Sequence, residues 1–217
     1  MFDLYLFDLD GTLVDTREDI TASVNYVMSL HSRSAVEATT VVSWIGNGLD
    51  DLMKKAFQTD DVEFISQLVE EFRDHYAEHC TDASYLYEGC SDTLLSLRRS
   101  GAHLSILTNK PQDLSVEIVR RLGILEHFDH VVGPLDADLR KPNPSNLLSL
   151  MRDVGALAQR TLMVGDSRND ILVARNAGVP SCGCTFGYYG RERLAEMGPT
   201  YLIDQLPDLT WINPAQD

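Results

Sequence analysis

Basic residues are scarce in this chain. Lysine and arginine together number 18 against 33 aspartates and glutamates, a formal net charge of −15 over 217 residues. That shortage argues against a nucleic-acid binder or a reader of anionic membranes, since either partner needs a surplus of Lys and Arg facing it. A small anionic substrate stays open, because it needs only a local positive site. Cysteine is also sparse: Cys80, Cys90, Cys182 and Cys184 do not make a disulfide framework in a chain this size. Cys182 and Cys184 flank a glycine, but with no partner cluster they read as a reduced, partly buried pair rather than a metal or redox site. Long apolar runs are missing, none approaching the roughly 18 residues of a membrane span. Met1 to Asp10 carries aspartates and no basic region, so no secretory signal is expected and the expected setting is the cytoplasm.

The remaining composition is that of a globular protein, with 44% hydrophobic and 24% charged residues. The length suits one large domain, or one domain carrying a small second one. Apolar residues follow two rhythms. Short continuous runs occur at Leu4–Phe7, His103–Leu107, Val131–Val132 and Thr161–Val164, with weaker ones at Val179–Cys184 and Tyr201–Ile203. Such runs suit strands of a parallel sheet covered on both faces. Between them lie segments of period near 3.6 that end before Gly101, Gly123 and Gly178, as helices ending at a glycine do. From about Cys90 the alternation predicts an α/β, Rossmann-like doubly wound and mainly parallel sheet.

Residues 16–81 break that rhythm. Thr16 is placed to cap a helix whose buried face is Ile20, Val24, Val27 and Met28. Leu49 to Phe57 reads as a second helix. Asp61 to Cys80 reads as a long one, with Val62, Ile65, Leu68, Val69, Phe72 and Tyr76 on one stripe. The expectation is a small all-helical domain at 16–81, inserted after the first strand of an α/β core made of 1–15 and 82–217. His75 and His79 sit one turn apart on the long helix but lack the glutamate of a zinc-site motif, so they read as partly exposed histidines.

Chemistry-bearing residues gather where strands are expected to end, the usual place for sites in open α/β sheets. Asp8-Leu9-Asp10-Gly11-Thr12 follows the first run, Thr108-Asn109-Lys110 the second, and Gly165-Asp166-Ser167-Arg168-Asn169-Asp170 the third. Lys141-Pro142-Asn143-Pro144 precedes an expected helix. Residues two apart in extended chain share a face, so Asp8 and Asp10 point into one cleft. Asp166 and Asp170 bring two more carboxylates to the rim. Crowded carboxylates either protonate or take up a cation, and oxygen-only donors favour magnesium. One aspartate after a strand could equally be a helix cap or turn residue; four in three loops are harder to explain so. Lys141 is the stronger candidate to offset them, in a loop stiffened by prolines, and Thr108 offers a hydroxyl to a phosphate oxygen. Lys110 reads equally well as a solvated surface lysine.

Taken in order, these four motifs resemble those of the haloacid dehalogenase superfamily, and the helical insert stands where that superfamily carries its cap. Within it, Ser43-Trp44-Ile45-Gly46-Asn47-Gly48, Leu107 to Pro111, Val164 to Ile171 and Thr185-Phe186-Gly187-Tyr188 resemble the phosphoglycolate phosphatases. The resemblance implies a magnesium-dependent phosphatase of a small phosphorylated metabolite, 2-phosphoglycolate first, with Asp8 as nucleophile and Asp10 as general acid and base. It implies metal held by Asp8, the Asp10 backbone carbonyl and Asp166, with Asp170 as a further carboxylate, and phosphoryl oxygens held by Thr108, the Asn109 N–H and Lys141. Gly46-Asn47-Gly48 would be the cap turn that meets substrate, although it also reads as a plain helix-breaking turn. A phosphosugar mutase, a pyrophosphatase or nucleotide phosphatase, and a catalytically silent regulatory protein are the rival expectations. A monomer and a homodimer are both compatible with the sequence.

Overall fold

Leu4-Tyr5-Leu6-Phe7 forms the central strand β1 (Leu4–Phe7), and all four side chains are buried. Successive strand residues face opposite sides of a sheet. Leu4 and Leu6 accordingly enter one apolar cluster with Leu147, Leu150 and Val173, while Tyr5 and Phe7 enter the other with Leu104, Ile106 and Ile118. Each such side chain contributes roughly 1.5–3 kcal/mol by leaving water. Both faces are covered, hence the unbroken apolar run.

The computed structural model describes residues 1–214. After β1 come a two-residue strand β2 (Val14–Asp15) and four helices, α1 (Arg17–Leu30), α2 (Ala38–Val42), α3 (Leu49–Phe57) and α4 (Val62–His79). A second short strand, β3 (Tyr85–Leu86), pairs antiparallel with β2 as the chain returns. Helices and strands then alternate: α5 (Cys90–Arg99), β4 (His103–Leu107), α6 (Gln112–Arg121), β5 (His130–Val132) and α7 (Ser145–Val154). The chain finishes with β6 (Thr161–Gly165), α8 (Arg168–Ala177), β7 (Ser181–Cys184), α9 (Arg191–Glu196) and β8 (Tyr201–Ile203). The main sheet has the order β5-β4-β1-β6-β7-β8 and every pair is parallel. The path leaves β1 toward β4 and β5, then crosses to β6 on its other side, which makes the C-terminal end of β1 the crevice of this α/β sheet.

Between β2 and β3, α1 packs on α4 through Val24, Val27, Leu68 and Phe72, with Met53 and Phe57 of α3 in the same apolar cluster. Asp61 caps α4, its carboxylate accepting from the backbone N–H groups of Glu63 and Phe64. Val62 departs from the expected stripe. It is the first residue of α4 and 78% exposed, because the buried face starts only at Ile65. Thr16 also departs from its expected role. It precedes α1 but makes no side-chain cap bond, and its hydroxyl instead donates to Asp10 Oδ1 at 2.6 Å. Asp19 ties the two crossings between helices and sheet together, accepting from Ala83 N at 2.9 Å, Ser84 N at 2.8 Å and Ser84 Oγ at 2.6 Å. All four cysteines are free and buried. His75 Nδ1 lies 2.9 Å from Ser23 Oγ, and His79 pairs with Asp82 at 2.8 Å. Among the described residues, no helix is long and apolar enough to cross a membrane.

Candidate active site

Strand β1 ends by handing Asp8 to the crevice, with Asp8 N still donating to Val164 O at 2.9 Å. The chain then turns sharply at Gly11, whose φ of +78° lies in the left-handed region. A Cβ there would stand 2.4 Å from Asp166 Oδ2. Glycine at 11 thus serves the turn and lets the Asp166 carboxylate approach. Asp166, after β6, is fixed from both sides: Thr12 Oγ1 donates to Oδ1 at 3.2 Å and Tyr188 N to Oδ2 at 2.7 Å. Asp170 sits in the first turn of α8, where Ser167 N and Oγ donate to its Oδ2 at 2.9 and 2.6 Å. The helix-cap reading therefore holds for Asp170, but only for one of its oxygens.

The other oxygen meets Lys141. Its Nζ lies 2.6 Å from Asp170 Oδ1 and 2.9 Å from Asp8 Oδ1, with the lysine side chain 2% exposed. Oxygens of Asp8, Asp166 and Asp170 all lie within 4.8 Å of one another. Burial, with repulsion from Asp170, raises the Asp8 carboxyl to about 6 despite Lys141. Burial and the charges of Asp170 and Asp8 push Asp166 well above the usual carboxylate range. Burial alone would lower the Lys141 ammonium, but Asp170 and Asp8 outweigh it and hold it above its ordinary value. One buried cation faces three buried carboxylates. This oxygen-only donor set, short of positive charge, fits a hard divalent metal ion.

Asp10 lies outside that trio. Lys110 Nζ donates to its two oxygens at 3.0 and 3.2 Å, and the Thr16 hydroxyl holds Oδ1. Lys110 is buried, not solvated: its side chain is 5% exposed, and its ammonium lies 4.5 Å from the centre of the Tyr76 ring on α4. Tyr188 joins the same group, its hydroxyl accepting from Thr16 N at 2.8 Å. In sequence Lys110 reads equally well as a solvated lysine, and Thr16 reads as a helix cap. The Asp10 partner of Lys110 is 100 positions away, and that of Thr16 is six positions back in the loop after β1, a spacing that matches no regular element.

Thr108 follows β4, with its N–H donating to Val132 O at 3.0 Å and its hydroxyl accepting from Lys110 N at 3.2 Å. The Asn109 side chain has a bridging task that its sequence position does not reveal. Its Oδ1 accepts from Lys141 N at 2.7 Å, while its Nδ2 donates to Lys141 O at 3.0 Å and Gly46 O at 2.9 Å. The Gly46-Asn47-Gly48 turn thereby docks on the sheet side. Asn169 Nδ2 donates to Gly46 O and Asn47 Oδ1, and Arg140 Nη1 donates to Asn47 O at 2.9 Å while pairing with Asp50 at 2.6 Å. Gly48 has a φ of +98°, and a Cβ on it would meet the Arg140 guanidinium at 2.6 Å. The turn is more than a helix breaker; it is a contact surface.

Between strand ends and helices lies a cavity of about 260 Å³. Asp8, Asp10, Thr108, Lys110 and Asp166 line one side, and Ile20, Val42, Ile45, Leu49, Leu52 and Phe72 the other. Asp8 and Asp166 of the metal-fitting trio, Asp10 held by its lysine, and the Thr108 hydroxyl thus open on one shared space. Such a set serves electrostatic stabilisation and transfer of a phosphoryl group.

Comparison with known proteins agrees with the motifs. The family model described as haloacid dehalogenase-like hydrolase matches residues 5–184. A phosphoglycolate phosphatase of Agrobacterium fabrum is 36% identical over 211 residues, spanning 95% of this chain and 90% of that protein. One from Yersinia pseudotuberculosis is 34% identical over 94% of this chain and 89% of its own length. The solved structure of a predicted phosphoglycolate phosphatase from Haemophilus somnus 129PT superposes with a TM-score of 0.91 at 30% identity, covering 97% of each chain. With its motifs, its parallel sheet and its relatives in agreement over nearly the whole length, the chain belongs to the haloacid dehalogenase-like hydrolases.

Proposed function

We propose that this hydrolase is a magnesium-dependent phosphatase of a small phosphate monoester, 2-phosphoglycolate, which it converts to glycolate and phosphate through an aspartyl-phosphate on Asp8. The observation that carries this reading is the gathering of Asp8, Asp166 and Asp170 around one buried lysine at the open end of the sheet. The named relatives support the choice of first substrate.

Asp8 attacks phosphorus with a carboxylate oxygen, and the bond from phosphorus to the ester oxygen breaks. Asp10 gives its proton to the departing alkoxide, then takes one from the water that attacks the aspartyl-phosphate. Phosphate leaves and the Asp8 carboxylate is restored. Lys110 and Thr16 hold Asp10 in position between these steps. Thr108, the Asn109 N–H and Lys141 hold the phosphoryl oxygens as charge builds on them. Asp8, Asp166, the Asp10 carbonyl and Asp170 would hold magnesium, which when bound would supply positive charge to the phosphoryl group and the crowded carboxylates. Residues 16–81 act as a cap on the core of 1–15 and 82–217, excluding water and contacting the organic part of the substrate through Gly46, Asn47 and Gly48. Phosphate release from 2-phosphoglycolate tests the reading. Transfer to a sugar without free phosphate would favour a mutase instead.

The acidic trio also predicts a link between metal and pH. An unfolded aspartate ionises near about 4, whereas the folded Asp8 does so at about 6. Between these values the folded state binds more protons, so the metal-free protein loses stability as pH rises. Magnesium binds the ionised form, so the rise in Tm on adding it should be larger at about pH 7.5 than at about pH 5.5. A Tm unmoved by magnesium at the higher pH would count against the site.

The contact of Arg140 with the cap turn gives a smaller prediction. Arg140→Ala removes its bond to Asn47 O and its pair with Asp50. Each is worth about 1 kcal/mol, so kcat/KM should fall roughly 2- to 10-fold with little change in Tm. Steady-state kinetics of the variant check it.

A further inference from the structure

Three cationic side chains at the mouth of the cavity are not used by the phosphoryl chemistry: Lys55 on α3, Arg168 at the start of α8 and Arg193 on α9. Lys55 is already answered by Asp51, 2.6 Å away. Arg168 and Arg193 differ. Both are exposed, and among the described residues neither forms an ion pair or a side-chain hydrogen bond; Arg193 only overlies the Tyr189 ring at 5.4 Å. Other arginines nearby are tied down, Arg140 to Asp50 and Arg191 to Asp204. Two unanswered guanidinium groups at one opening, in a chain with 33 acidic residues, leave a site for an anion that the protein does not itself supply.

On the proposed mechanism the phosphoryl end of a substrate is taken by Thr108, after β4, and Lys141, in the loop before α7, so the anion at the mouth belongs to its other end. The helical wall between them is Ile20, Val42, Ile45, Leu49, Leu52 and Phe72. That wall is mainly apolar, and its polar side chains, Ser43 and Asn47, are too few to match a row of sugar hydroxyls, whose burial without partners is costly. A guanidinium fork, by contrast, binds a carboxylate with two parallel hydrogen bonds. The position of Arg168 is fixed by its neighbours, since Ser167 and Asp170 close the helix start and Asn169 is bonded to Gly46 and Asn47.

We infer that Arg168 and Arg193 are specificity-determining residues that select a carboxylate on the substrate, making small phosphorylated carboxylic acids the preferred class over neutral phosphorylated alcohols and sugars. This inference rests on the phosphatase reading. It extends that reading from one named substrate to a chemical rule and to the residues that enforce it. Because the contact is electrostatic and near the surface, salt should weaken the acidic substrates more than the neutral ones.

The test is kcat/KM for phosphate release, with magnesium, on two matched pairs: 2-phosphoglycolate against 2-hydroxyethyl phosphate, and 3-phosphoglycerate against glycerol 3-phosphate. The wild-type protein should favour the acid of each pair by about tenfold or more. Arg168→Gln and Arg193→Gln should each lower kcat/KM for the acids by about 10- to 100-fold and for the neutral esters by less than about threefold. Arg99→Gln, which removes the same charge from an exposed site at the end of α5, should alter neither. Equal rates on acid and neutral esters in the wild type, or equal losses on both in the variants, overturn the inference and leave the phosphatase reading standing. Release from no ester at all removes both.

Discussion

Asp8→Asn should abolish phosphate release, by at least about 10³-fold, because the amide offers no anionic oxygen to attack phosphorus. The same change should leave the fold intact and is expected to raise or preserve Tm. It has nearly the same shape, and it removes one of three carboxylates that now repel one another in a buried space. Asp170 still pairs with Lys141 at 2.6 Å, so the lysine is not stranded. Loss of activity with an unchanged thermal transition separates a reacting group from a structural one. Substantial turnover in purified Asp8→Asn would remove it from the nucleophile's role.

Lys141→Ala should damage both activity and stability. The ammonium lies 2.9 Å from Asp8 and 2.6 Å from Asp170, and it is the cation lodged among the buried trio. Removing one partner of a buried charge cluster costs about 3–5 kcal/mol, and the loss of a donor to the phosphoryl oxygens costs roughly 10²–10³ in turnover. The sign of the pH dependence follows from the stranded carboxylates. Without Lys141 they are harder to ionise in the folded state, so the stability deficit should be largest near neutral pH. It should shrink as pH falls and they protonate. Magnesium should recover part of it. Urea unfolding of the variant across pH, with and without magnesium, measures all three effects. A neutral-pH stability equal to wild type would mean that Lys141 is not the counter-charge described.

The fates of individual residues show which parts of this arrangement were legible in sequence. Strands β1, β4 and β6 fall on the apolar runs because each buries both faces, and that demand writes a nearly unbroken run into the chain. The same sheet geometry put Asp8, Thr108 and Asp166 at strand ends, so their proximity follows from topology. β2 and β3 left no signal, since two residues each are too few for any period to register. Thr16 carries the local pattern of a helix cap, but its hydroxyl answers Asp10, six positions back in the loop after β1. Lys110 carries no local mark of its role, because its partners, Asp10 and Tyr76, are distant in sequence. Arg140 gave no hint of its contact with Asn47, 93 positions away. Local spacing encodes elements and their ends. Side-chain partnerships between remote segments appear only when the chain is folded.

The imbalance between acidic and basic residues also acquires a partial cause. Part of the acid lies at the site, where three carboxylates gather beside a lysine that pairs with two of them and call for a cation. The most direct test of the central claim is the initial rate of inorganic phosphate release from 2-phosphoglycolate, measured with magnesium and again with excess chelator. The account predicts rapid release with magnesium and its loss with chelator, restored when magnesium is returned. Release that is indifferent to chelator, or absent under both conditions, would contradict it.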